Sequence, residues 1–241
     1  MLLDIAGKPL ILHTLGQAKK ARNVSRVIVA TDDQRIFEVV TENGGEARMT
    51  SPGHQSGSDR LAEVAETLPE GSIVVNVQGD EPTISPRTIE KAVDSLISDE
   101  SADMSTTYEA IETTADLING NIVKVVTDDK GYAVYFSRSP IPYPRDAVIH
   151  YGSLEVAIEK EPSLLSLFRN HTGLYVYRRE FLLKFAAMPQ GRLEKIEMLE
   201  QLRALENGAK IKVVEVDEPS IGVDTLDDLE RVRAIVRRSE I

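Results

Sequence analysis

Cysteine is absent from this 241-residue chain, which excludes disulfides, thiolate nucleophiles and zinc–thiolate sites. No apolar run approaches the roughly 20 residues of a membrane span, so no membrane partner is expected. The opening Met1-Leu2-Leu3-Asp4 lacks the basic stretch that begins a secretory signal, and the expected location is the cytoplasm. Excess positive charge is missing too. The formal net charge is −11, which argues against nucleic acid, because neutralising a phosphate backbone needs a basic surface. A small anionic substrate remains compatible with this acidity, since a pocket can be locally basic and can bring its own metal. Internal repeats and low-complexity tracts are also absent.

The length suits one α/β domain over residues 1–241 with a sizeable core. Strand and helix signals alternate, which predicts a mostly parallel sheet. Helices are expected over 10–22, 34–43, 58–68, 86–97, 179–187, 193–206 and 225–238. Strands are expected over 26–32, 73–77, 104–110, 122–126, 132–136, 171–177 and 211–216, with a short one over 46–50. Ser139-Pro140-Ile141-Pro142-Tyr143-Pro144 cannot be regular structure, because its prolines fix φ and remove donors. Residues 139–170 therefore read as an excursion from the sheet, with a short helix near 161–168.

The most informative run is Ile73-Val74-Val75-Asn76-Val77-Gln78-Gly79-Asp80-Glu81-Pro82. Its apolar half reads as a strand covered on both faces. Its end places carboxylates just past the strand's carboxyl end, where ligands bind in open α/β sheets. Asp80 there suits a hard cation such as Mg²⁺, which takes one or two protein carboxylates and completes its shell with phosphate oxygens and water. The alternative is an ordinary turn with a solvated Asp-Glu pair. Asp224, after Gly222-Val223, is either a helix N-cap or a second carboxylate for the same ion.

His54-Gln55-Ser56-Gly57-Ser58-Asp59-Arg60 sits before a helix, where free N–H groups and a guanidinium suit phosphate or a polar base edge. The alternative is a cap built on Ser58 or Asp59, with Glu63 as a partial capping box. Arg138 ends a strand. His171 and Tyr175 lie four apart on another strand and so share a face. These three could line an anion pocket, or be a surface arginine, a satisfied histidine and a sheet aromatic. Along 193–206, Glu197 and Gln201 fall one turn apart and Glu200 can pair with Arg203. Gly7-Lys8-Pro9 does not match a Walker loop.

Taken together, these segments resemble the 3-deoxy-manno-octulosonate (Kdo) cytidylyltransferase family, from Leu2 to the C-terminus. The resemblance rests on Asp4-Ile5-Ala6-Gly7-Lys8-Pro9, Val29-Ala30-Thr31-Asp32, the His54–Arg60 loop, Val75–Pro82, Tyr135-Phe136-Ser137-Arg138, Ile196–Arg203 and Gly222-Val223-Asp224-Thr225. It implies a nucleotide-diphosphosugar-transferase-like α/β fold with a mixed, mostly parallel sheet, helices on both faces, and a small excursion used for homodimerisation. It implies that the anomeric hydroxyl of Kdo attacks the α-phosphate of CTP, giving CMP-Kdo and pyrophosphate for lipopolysaccharide biosynthesis. By the same resemblance Asp80 and Asp224 bind Mg²⁺, and Ser56, Gly57 and Arg60 help hold CTP. Gln78, Arg138, His171, Tyr175, Glu200 and Gln201 surround Kdo, with Arg138 facing its carboxylate. A relative acting on 8-amino-Kdo or a sialic-type acid, or a sugar-binding remnant without activity, are the alternatives. Family members begin with a further strand and a basic phosphate loop. The sequence as written starts beyond them by about 20 residues, one strand and one loop in length, so little transferase activity is expected of it.

Overall fold

The structure, a computed structural model, describes residues 1–54, 56–218 and 220–239. The chain opens with a short hairpin of β1 (Asp4–Ile5) and β2 (Lys8–Pro9). Ala6 and Gly7 between them both have positive φ, 52° and 80°, the conformation that two-residue hairpin turns require. Next come β3 (Ile28–Thr31) and β4 (Glu46–Met49), paired in parallel as a separate two-stranded sheet.

The main sheet contains β5 (Ile73–Asn76), β6 (Met104–Ala110), β7 (Lys124–Thr127), β8 (Ala133–Ser137), β9 (Arg169–Arg178) and β10 (Ile211–Glu215). Its organiser is β9. One edge of β9 pairs with β6, and the other is shared between β5 and β7. All three pairings are antiparallel, while β10 runs parallel to β6. Hence β5, β6, β7 and β10 point one way and β8 and β9 the other. The sheet is mixed, with most strands in one direction although most ladders are antiparallel, because β9 is inserted among them.

Period-two alternation along β9 builds two cores. Leu174 and Val176 face the helix Pro86–Ile97, with Ile89, Val93 and Leu96. Tyr177, joined by Tyr175, faces the helices Gly57–Ala65, Arg179–Ala186 and Gln201–Glu206, through Ala62, Phe185 and Leu202. Helices thus cover both faces. β5 is packed on both faces as well, with Val74 in one core and Ile73 and Val75 in the other. These three are nonetheless only half-buried, because β5 pairs with β9 alone among the described residues and its other edge is open.

Three expectations change. The helix expected over 193–206 is broken into Arg192–Glu197 and Gln201–Glu206, with Met198 between them in the left-handed region at φ 54°. Periodicity could not reveal the break, because the apolar spacing continues through it. Glu197 and Gln201 consequently do not share a helix face. The excursion holds more structure than one short helix: Arg145–Tyr151, Leu154–Lys160 and a 3₁₀ turn Pro162–Leu167. Ala157 and Ile158 are the buried residues of these segments, so they carry little amphipathic signal. The helix expected over 10–22 is shorter, Leu10–Ala18.

Candidate active site

The end of β5 is held from two sides. The Thr14 hydroxyl donates to the Gly79 carbonyl at 2.9 Å. A Cβ at Gly79 would lie 2.9 Å from Met1 Sδ and 3.2 Å from Ile11 Cδ1, so a larger residue at the turn into Asp80 would displace the ends of these two side chains. The segment after β10 is laced to the start of helix Pro86–Ile97 by Ser85 to Glu218, Arg87 to Glu218 at 3.3 Å and Lys91 to Asp217 at 3.1 Å. Further on, Ile221 N donates to Thr83 Oγ1 at 3.1 Å and Val223 N donates to the Asp80 carbonyl at 3.0 Å. Backbone bonding therefore sets Asp224 beside Asp80.

Asp224 does not cap the last helix. Thr225 and Asp228 cap it reciprocally, with Asp228 N donating to Thr225 Oγ1 at 3.2 Å and Thr225 N to Asp228 Oδ2 at 3.0 Å, and Asp224 stays exposed. Burial raises the Asp80 pKa, and the Asp224 charge pushes the same way. Next door Glu81 is pushed up to about 7, mainly by burial, with the charges of Asp80 and Glu109 adding. Two carboxylates that repel one another call for a cation. Among the described residues no group of three or more His, Asp or Glu is placed to hold a metal, and Asp80 and Asp224 offer two carboxylates, the number that Mg²⁺ takes from a protein when phosphate oxygens supply the rest. Glu81, Glu109, Asn121, Asn170 and His171 line an adjoining cleft of about 340 Å³.

The helix Gly57–Ala65 starts with a capping box on Ser56: Asp59 N donates to Ser56 Oγ at 3.2 Å and Ser56 N to Asp59 Oδ2 at 3.1 Å. The cap is Ser56, not Ser58 or Asp59, and Glu63 instead meets His54 and Ser51 N. Gly57 is exposed at the helix start, and Gln55 lies outside the described residues. Arg60 clips the ends of β3 and β4 together through Asp32 at 3.2 Å and the Thr50 hydroxyl at 2.5 Å.

On the far side, the His171 and Tyr175 rings meet at 5.3 Å, and Phe136 packs edge-on against His171 at 4.9 Å. The Thr106 hydroxyl donates its one proton to the Leu174 carbonyl at 2.7 Å. It must therefore accept from His171 Nε2 at 2.8 Å, which leaves Nδ1 as an acceptor. Burial lowers the His171 pKa to about 3, so the ring is neutral.

Arg138 is anchored by carbonyls: Nε donates to Glu197 O at 2.8 Å, Nη1 to Gly120 O at 2.9 Å and Nη2 to Met198 O at 3.4 Å. The Glu197 carboxylate answers by accepting from Arg138 N and the Ser137 hydroxyl. Buried Lys124 holds the Asn119 and Ile122 carbonyls of the same loop that offers Gly120 to Arg138. Glu200 receives the Ser58 hydroxyl at 2.9 Å, and its charge reaches Tyr175 and Tyr177. Gln201 is 4% exposed, yet its Nε2 has no hydrogen-bond partner, an orphaned donor that a ligand could satisfy. Gln78 is exposed past β5 and is tied to none of these groups by a side-chain contact among the described residues.

Sequence reasoning missed Glu194, which only its burial and its pairing with Arg203 single out. It offered Ser58 as a cap and Glu197 as a neighbour of Gln201, not in the roles the fold gives them, while the expected Glu200–Arg203 pair forms at 3.4 Å.

The cytidylyltransferase family profile matches residues 1–211. A 3-deoxy-manno-octulosonate cytidylyltransferase from Trichlorobacter lovleyi is 50% identical over 232 residues, covering 96% of this chain and 90% of the relative. Its counterpart from Geobacter sulfurreducens is 51% identical with the same coverages. A solved structure of CMP:2-keto-3-deoxy-manno-octonic acid synthetase complexed with CTP superposes with a TM-score of 0.87 at 40% identity, over 99% of this chain and 91% of that one. A 4-diphosphocytidyl-2C-methyl-D-erythritol synthase from Anaerococcus prevotii, 16% identical with a TM-score of 0.61, shares the fold. The chain belongs to the cytidylyltransferase family, among the 3-deoxy-manno-octulosonate cytidylyltransferases.

Proposed function

We propose, against the low activity expected from the sequence, that the chain transfers CMP from CTP to the anomeric hydroxyl of Kdo, releasing pyrophosphate. The observation that carries this reading is the apposition of Asp80 and Asp224, set by the Val223–Asp80 backbone bond and sharpened by their mutual repulsion. Asp80 and Asp224 would hold one Mg²⁺. When bound, that ion neutralises the triphosphate and lowers the pKa of the attacking hydroxyl. Gly57, exposed at the start of a nine-residue helix, offers its N–H to the nucleotide, and Ser56 caps that helix with its own N–H held by Asp59. Arg60 fixes the strand ends behind them. Arg138, gripped only by carbonyls on its guanidinium, keeps its charge for the sugar carboxylate. His171 Nδ1, Tyr175, Glu200, Gln201 and Gln78 supply acceptors and donors for hydroxyls. The anomeric oxygen forms a bond to the α-phosphorus, the bond to the pyrophosphate oxygen breaks, and the hydroxyl proton leaves to solvent. This chemistry needs no Ser, Cys or His nucleophile.

A homodimer is part of the same reading. The excursion exposes Tyr143 at 63%, Ile149 at 65% and Leu167 at 46%, large apolar groups on one appended segment. A cytoplasmic role in lipopolysaccharide biosynthesis follows from the product. Among the described residues, no helix is long and apolar enough to cross a membrane. Pyrophosphate release from CTP, Mg²⁺ and Kdo tests the reaction, and parallel assays with 8-amino-Kdo and a sialic acid test the sugar. No release with any of them rejects the reading.

A further inference from the structure

Glu200 is held at both oxygens. Its Oε2 accepts from the Ser58 hydroxyl at 2.9 Å, and its Oε1 meets Arg203 Nη2 at 3.4 Å. Neither partner is open to a ligand, since Ser58 is 1% and Arg203 4% exposed. Arg203 is itself immobilised. Its Nε and Nη2 form a two-pronged pair with Glu194 at 2.9 and 2.7 Å, Nη1 donates to the Met188 carbonyl at 3.1 Å, and the guanidinium lies over the Phe185 ring at 4.9 Å. Glu194, 5% exposed, also accepts from Gly191 N at 3.0 Å.

A buried ion pair of this kind adds little net stability over apolar packing, so its presence asks for another reason. The geometry supplies one. Glu194 neutralises Arg203 from behind, which leaves Arg203 a weak, fixed contact to Glu200 instead of a dominant one. The Met198 break turns Glu200 out of the preceding helix. Ser58 then fixes the carboxylate from the helix that begins at the proposed nucleotide loop.

We propose that Ser58, Arg203 and Glu194 are positioning residues for the acceptor sugar: they aim the Glu200 carboxylate at its hydroxyls while touching no substrate themselves. This rests on the reading of Glu200 as a sugar contact. With Glu194 neutralised, Arg203 would draw Glu200 inward as its replacement partner and away from Ser58.

Calorimetric titration of Kdo, and separately of CTP–Mg²⁺, into wild type, Glu194→Gln, Ser58→Ala, Glu200→Gln and the Glu194→Gln/Glu200→Gln double variant tests this, with thermal melts alongside. The Kd for Kdo should rise about tenfold in E194Q and a few-fold in S58A, the scale of losing a group that orients a ligand-binding one. The Kd for CTP–Mg²⁺ should stay within about twofold, and the double variant should bind Kdo no more weakly than E200Q, because both changes act through one carboxylate. Unchanged Kdo binding in E194Q and S58A, with E200Q impaired, overturns the proposal alone. Equal weakening of both ligands in step with the melting temperature also overturns it. Unchanged Kdo binding in E200Q rejects the underlying reading of Glu200. Should E194Q not fold, S58A carries the test, since it deletes one buried hydroxyl and leaves the ion pair intact.

Discussion

Asp80 and Asp224 are placed by backbone, whereas Glu200, beside Gln201, is placed through a chain of buried side chains. The first pair sits at loop ends joined by one main-chain hydrogen bond, partly solvated and mutually repulsive. The second lies on a broken helix stitched by Ser58, Arg203 and Glu194. On the proposed reading the contrast follows from the ligands. A metal–triphosphate complex brings its own charge and organises whatever carboxylates it meets. A polyhydroxylated sugar brings only hydroxyls, and selects by donors and acceptors already fixed in place. Changes on the metal side should therefore alter chemistry with little effect on folding, while changes behind the sugar side should alter folding as well.

The largest effect expected is that of Asp80→Asn or Asp224→Asn. Each should lower pyrophosphate release by about 10²–10³-fold, the scale of losing one preorganised electrostatic group. The melting temperature without ligands should hold or rise slightly, because a repulsion is removed. A large drop in melting temperature would erase the contrast between the two sides.

Arg203→Ala should do the reverse first. It strands the buried Glu194 carboxylate, and breaking such a pair costs about 3–5 kcal/mol, to be read from urea unfolding. A loss comparable to that of an exposed surface pair would show that water reaches Glu194.

Acid should separate the sides further. His171 has a folded pKa of about 3 against an ordinary 6.5, so the unfolded chain binds the extra proton between those values. Its contribution is fully present above pH 6.5 and is lost as pH falls toward 3. His171→Gln should flatten the stability profile across that window by on the order of a few kcal/mol. A variant with the same acid profile as wild type would place the wild-type loss elsewhere.

The smallest effect concerns the helix break. Met198 is 76% exposed and holds φ 54°, ψ 47°, where a side chain is disfavoured. Met198→Gly should stabilise by roughly 0.5 kcal/mol, the relief of left-handed strain less the extra freedom of glycine in the unfolded chain. Destabilisation would mean that the Met198 side chain packs against a partner.

Much of the site was legible because its signals are local. The run ending in Gly79-Asp80-Glu81-Pro82 reads as strand then turn from hydropathy and residue type alone. His171 and Tyr175 share a face by strand period, and their rings do meet. Caps were less legible. Ser56, Ser58 and Asp59 can all cap a helix, and choosing Ser56 needs the backbone dihedrals that folding sets. Asp224 looked equally able to cap, yet Thr225 and Asp228 take that role.

The sequence by itself determined the elements whose cause lies within a few residues: apolar strands with polar ends, the proline-bounded excursion, and the segments that mark the family. Tertiary structure decided what depends on partners far along the chain. Ser58 meets Glu200 across 142 positions, and Arg22 meets Glu90 across 68. It also decided that β9 runs against its neighbours and that the helix breaks at Met198. Local pattern records which face of an element is apolar. It does not record which buried charge waits opposite, because that pairing exists only after distant segments have packed.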